Sequence, residues 1–120
     1  MADISLATQK VLRTGLTVTY TASGASPLLN VTDTFKFVNT GKEVLHVKKS
    51  GAGSCTVTIK TPGTVDGLAV AERTVVVPAS TGDVFIGPFP PAIYNTPGTN
   101  LMEGVTFSEV TGLTAAVLEL

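Results

Sequence analysis

Apolar and polar residues alternate along this chain in one short segment after another, and no stretch sustains a helical period. In LTVTYT (16–21), Leu16, Val18 and Tyr20 fall on one side and Thr17, Thr19 and Thr21 on the other. DTFKFVN (33–39) sets Phe35 and Phe37 against Thr34, Lys36 and Val38, and SCTVTIK (54–60) sets Cys55, Val57 and Ile59 against Thr56, Thr58 and Lys60. These patterns predict antiparallel strands with one buried and one solvated face. Further strands fit EVLHVKK (43–49), RTVVVP (73–78), DVFIG (83–87), GVTFSEV (104–110) and LTAAVLEL (113–120). Turn formers separate them, among them Asn39-Thr40-Gly41, the run Ser50 to Ser54, Asp66-Gly67 and Pro97-Gly98. About eight strands at this spacing predict an all-β chain, a small antiparallel sandwich or barrel occupying residues 10–120 as one domain. Residues 1–9 show no pairing pattern and read as an extended N-terminal arm. DGLAVAER (66–73) has the composition of a single helical turn, and residues 22–32 read as a loop with an apolar tip at Leu28 and Leu29.

FIGPFPPAIYN (85–95) fits neither a helix nor a central strand. Pro88, Pro90 and Pro91 each fix φ near −65° and lack a backbone donor, so an extended strap that leaves the sheet is expected. Phe89 and Ile93 are expected to fold inward over one end of the core, with the Tyr94 hydroxyl at the rim. The same prolines satisfy a PxxP peptide pattern, but a crossover between sheets is the commoner use of such a run.

Composition changes the picture in one respect. Only 14% of the 120 residues are charged, against a typical ~25%. A small domain with so few charges exposes apolar surface, which points to an oligomer or a docked subunit. The net charge of −1, with Lys and Arg scattered, supplies no footprint for nucleic acid. No segment approaches the ~18 apolar residues of a membrane span, and the start lacks the charged and apolar regions of a signal peptide, so a cytoplasm-like site of synthesis is expected. A single cysteine, Cys55, excludes an intrachain disulfide, and no Cys/His cluster has metal-ligand spacing. No cofactor is expected.

Candidate chemistry is sparse. His46 shares a strand face with Val44 and Lys48, and no carboxylate, thiol or second imidazole lies near it in sequence, so a plain strand-face histidine is the simpler reading. Cys55 shares a face with Val57 and Ile59 and reads as a small buried hydrophobe. Asp33, Asp66 and Asp83 are all read as turn residues. SGAGS (50–54) lacks the Lys-Ser/Thr and following helix of a phosphate loop and reads as a hairpin loop. With no nucleophile–base pair or paired acids in view, a non-enzymatic role is expected.

The run TPGTVDGLAVAERTVVVPASTGDVFIGPFPPAIYN (61–95), the opening ATQKVLRTGLTVTYTA (7–22) and the closing VTFSEVTGLTAAVLEL (105–120) resemble small head proteins of tailed bacteriophages, some of which are capsid decoration (cement) proteins. The resemblance implies a jelly-roll or β-tulip-like subunit, commonly a homotrimer, that binds the major capsid protein on the outer surface of the virion. It carries no catalytic or metal-binding residue. The surfaces expected to meet the capsid or a neighbouring subunit are the arm (Ala2, Asp3, Ile4, Ser5, Leu6), the loop tip (Leu28, Leu29) and the C-terminal strand (Leu118, Leu120). The alternatives are another β-rich virion part, such as a tail-tube, head–tail joining or fibre-base subunit, or a glycan-binding module using the loops at 22–32 and 50–54. The absence of tryptophan weakens that last reading.

Overall fold

A computed structural model describes residues 3–24, 28–62, 64–69 and 71–120. In chain order the elements are β1 (Asp3–Ser5), β2 (Thr8–Lys10), β3 (Thr21–Ala22), β4 (Thr34–Val38), β5 (Glu43–Lys49), β6 (Cys55–Ile59), β7 (Thr64–Val65), β8 (Leu68–Ala69), β9 (Arg73–Val77), β10 (Gly82–Ile86), one helical turn α1 (Pro91–Tyr94), β11 (Leu101–Phe107) and β12 (Leu113–Glu119). One sheet runs β1-β4-β11-β6-β9; the other runs β10-β5-β12-β2, with β3 pairing a second part of β12. The chain is therefore an all-β sandwich of two five-stranded sheets rather than a closed barrel. Strands β4, β5 and β6, and then β9 to β12, alternate between the sheets, so most connections cross the sandwich.

The period-2 pattern explains what lies inside. Phe35 and Phe37 of β4, Cys55, Val57 and Ile59 of β6, and Val105 and Phe107 of β11 face Leu45 and Val47 of β5 and Leu113, Ala115 and Val117 of β12 in one core. Phe35 and Phe107 meet edge to face at 5.4 Å between ring centroids. Register slips between Met102 and Val105 of β11, at Gly104 with φ +79°; one extra residue there keeps both Met102 and Val105 inside.

The strap behaves as a plug. Phe89 is buried against Phe37 and Tyr94, while Ile93 and Tyr94 are half-buried. The expected extended run ends at Pro90, because Pro91 occupies the first helical position of α1, where a missing N–H costs nothing.

Four expectations are corrected. The described part of the N-terminal segment is no free arm: β1 lies parallel to β4 and β2 parallel to β12, each strand only three residues long and too short to show a period. LTVTYT keeps its alternation, with Leu16, Val18 and Tyr20 half-buried and Thr17 and Thr19 exposed, yet only Thr21 joins a strand. The neighbouring edge of β12 is already taken by β2 from Val117 to Glu119. The Gln9 carboxamide replaces the missing ladder, donating to the Thr19 carbonyl at 2.7 Å and accepting from the Thr19 N–H at 2.8 Å. The described residues of 66–73 make no helical turn: Asp66 (φ 53°) and Gly67 (φ 75°) close the β7–β8 hairpin, the left-handed pair that an Asp-Gly dipeptide favours. The 50–54 loop likewise closes no hairpin, because β5 and β6 belong to different sheets.

Candidate functional site

The outer face of the β10-β5-β12 sheet gathers the chain's scattered chemistry. Register sets Phe85 of β10 and Ala116 of β12 on either side of His46 in β5, and Asp83 and Thr114 on either side of Lys48. Thr21 pairs with Ala115, so Tyr20 follows beside the small Ala116 and reaches over it. The Tyr20 hydroxyl lies 3.0 Å from His46 Nδ1, and Asp83 Oδ1 lies 2.5 Å from His46 Nε2. Neutral imidazole satisfies both neighbours when Nε2–H donates to Asp83 and Nδ1 accepts from the Tyr20 hydroxyl. Phe85 stacks on the imidazole at 4.0 Å with an interplanar angle of 6°, Tyr20 meets it edge-on, and Lys48 Nζ sits 5.1 Å above the Tyr20 ring.

Two sequence expectations change here. His46 is buried between a carboxylate and a phenol, and Asp83 stands on a strand rather than in a turn. The partners lie 26 and 37 residues away, so only the strand pairing reveals them. The order Asp83, His46, Tyr20 matches orienting acid, base and hydroxyl in form. Its contacts tie Tyr20, the last residue of a segment (16–20) with no ladder of its own, to the β10-β5-β12 sheet. Tyr20→Phe is expected to cost about 1 kcal/mol of unfolding free energy, read by urea denaturation, since it leaves His46 Nδ1 unpaired. An unchanged midpoint would mean that the latch carries no load.

An open groove of about 380 Å³ adjoins this cluster, lined by residues including Lys48, Ser50, Ser80, Asp83 and Thr114. A second of about 280 Å³ lies between Gln9, Thr19 and Ala116. Other polar side chains serve the fold. Glu43 is buried and accepts from the N–H of Thr40 at 2.7 Å and of Lys42 at 3.2 Å, clamping the turn before β5. Lys49 is buried and donates to the Thr111 carbonyl, with Glu109 3.8 Å away. Hydrogen bonds from Thr111, first its side chain and then its backbone, hold the exposed Glu109 carboxyl below the usual carboxylate range; Lys49 contributes less. A depressed pKa stabilises above the unfolded value and is lost as pH falls through the folded one. Glu109→Gln should therefore flatten the acid limb of the melting-temperature profile; an unchanged limb would remove this contribution.

The residues expected to meet a partner are placed differently from one another. Ala2 lies outside the described residues. Leu6, Leu29 and Leu118 are buried within the chain and present no contact surface, while Ile4 packs on the core and is half-buried. Leu29 turns inward because Asn30 Oδ1 accepts from the N–H groups of Thr32 and Asp33 and tightens the loop beneath it. Asp3 pairs with Lys36 at 3.2 Å. Ser5, Leu28 and Leu120 are exposed, and so are Val76, Phe85 and Leu68, whose exposure the sequence pattern did not single out. Cys55 is buried, as its strand face predicts.

The chain is thus an all-β sandwich with a Tyr20–His46–Asp83 chain of contacts on the outer face of one sheet. No family model matches the chain, and no curated protein or solved structure matches it either.

Proposed function

We propose that this protein is a structural component of a bacteriophage head, a decoration subunit that binds the outer surface of the shell and stabilises it. The carrying observation is the placement of apolar side chains. Val76, Phe85, Leu68 and Leu120 are each 60% exposed or more, in a chain of which only 14% is charged. Apolar side chains left in water cost free energy that a covering neighbour relieves. The sequence resemblance to phage head proteins supplies the class of neighbour. A cement subunit works through area and backbone contacts across shell boundaries, and a sandwich with apolar side chains on its surface suits that work.

The test is co-sedimentation of the purified protein with heads of the phage that carries its gene, stripped of their own copy. Binding that saturates at a fixed number of copies per head, with a higher temperature of head disruption, is expected. Protein that stays in the supernatant would overturn the reading.

A further inference from the structure

We infer that the outer face of the β10-β5-β12 sheet binds a neutral saccharide, with Phe85 as the platform for one sugar ring and the adjoining groove as the seat for its hydroxyls. This goes beyond the shell-binding reading and does not rest on it, since Val76, on the outer face of the other sheet, remains free to meet the shell.

Two rows of side chains cross the three strands. One is Phe85, His46 and Ala116, and the next along the strands is Asp83, Lys48 and Thr114. Asp83 and Lys48 stand directly opposite each other and yet form no ion pair. Asp83 Oδ1 is turned to His46 Nε2, and Lys48 Nζ is held over the Tyr20 ring. Each charge is placed by an aromatic neighbour and keeps hydrogen-bonding capacity to spare: among the described residues Asp83 Oδ2 accepts no bond and Lys48 Nζ donates none. The side-chain hydroxyls of Ser80, Thr81 and Thr114, which line the same groove of about 380 Å³, also have no partner among the described residues. Buried Asn39, Glu43, Lys49 and Asn95, by contrast, are all engaged within the fold.

The ligand class follows from this mixture. A phosphate or carboxylate would meet the Asp83 carboxylate. A metal ion would meet the Lys48 ammonium, and no group of three ligating side chains exists among the described residues. One cation, one anion and three hydroxyls suit a neutral molecule that donates and accepts several hydrogen bonds at once, as the neighbouring hydroxyls of a sugar do. A sugar also carries an apolar C–H face. Phe85 covers His46 with one side of its ring, at 4.0 Å and 6°, and is 61% exposed, so its other side is open to solvent. The negative face of an aromatic ring attracts the slightly positive C–H groups of a pyranose. The imidazole stack already orders Phe85, so little further side-chain entropy is lost on binding. Asp83 lies two residues along β10 from Phe85, about 7 Å, which lets one short oligosaccharide touch both platform and groove.

Cellotriose, maltotriose, lactose and chitotriose, each at tens of millimolar, are the probes, titrated into the isotope-labelled full chain and followed by amide NMR. At least one is expected to shift the resonances of Lys48, Asp83, Phe85 and Thr114 in a saturable way. For that sugar Phe85→Leu, which keeps apolar bulk over His46 and removes the ring face, should weaken binding roughly tenfold or more, and Phe85→Tyr should restore it. Thr114→Val, which removes only a hydroxyl, tests the groove separately from the platform and should weaken binding a few-fold. Silence from all four sugars, unchanged affinity in both Phe85→Leu and Thr114→Val, or larger shifts from inorganic phosphate or from acetyl-trialanine amide would each overturn the inference, the last two by making the groove an anion or a peptide site.

Discussion

Phe89→Ala is expected to lower the unfolding free energy by about 3 to 5 kcal/mol, the range for truncating a buried aromatic side chain. Phe89 is 2% exposed, its ring centroid lies 5.3 Å from Tyr94 and 6.1 Å from Phe37, and it belongs to the central core. The residual cavity should persist, because Pro88 and Pro90 on either side fix their φ angles and hinder the strap from collapsing inward. Urea unfolding, with an unchanged slope, measures the effect. A loss below about 1 kcal/mol would mean that Phe89 is not part of the core and would return the strap to the list of contact surfaces.

Asn39→Ala is expected to cost about 3 kcal/mol. The buried Asn39 amide donates to the Phe89 carbonyl at 3.0 Å and to Asn95 Oδ1 at 2.8 Å, while Asn95 Nδ2 returns a bond to the Asn39 carbonyl at 2.9 Å. Truncation leaves two buried acceptors without donors, each worth about 1 to 3 kcal/mol when stranded. Because Asn39 follows β4 and Asn95 follows α1, this pair fastens the strap to the sheet it plugs. A double-mutant cycle with Asn95→Ala should show a coupling of about 1 kcal/mol or more. Additive losses would show that the two amides do not act together.

The long strands were legible. EVLHVKK became β5 residue for residue, and the strands expected in 33–39, 54–60, 73–78, 83–87, 104–110 and 113–120 were observed with ends shifted by a few residues. Burying one face leaves a period-2 imprint that survives without knowledge of the partner strand. Strands of two or three residues leave no such imprint, which is why β1 and β2 read as an arm and β7–β8 as a helical turn. Even there the Asp66-Gly67 dipeptide was a readable turn signal.

The outer-face cluster was not legible. Tyr20, His46 and Asp83 are unremarkable one by one, and Tyr20 was expected to face the core. Their convergence depends on β5 pairing with β10 on one side and β12 on the other, and on β2 leaving only a short piece of β12 for Thr21 and Ala22. Buried Lys49 and Glu43 have the same origin, since the backbone groups that satisfy them come from elements brought close by the fold or by a turn.

Hydrophobic patterning therefore determined the all-β class, a sandwich or barrel, because burial is a property each strand carries in its own alternation, and the proline run around Phe89 marked the plug. Tertiary structure decided which strands became neighbours and which polar groups met. Those outcomes depend on pairing between residues far apart in sequence, and a period of two records the face a residue takes without recording the strand beside it.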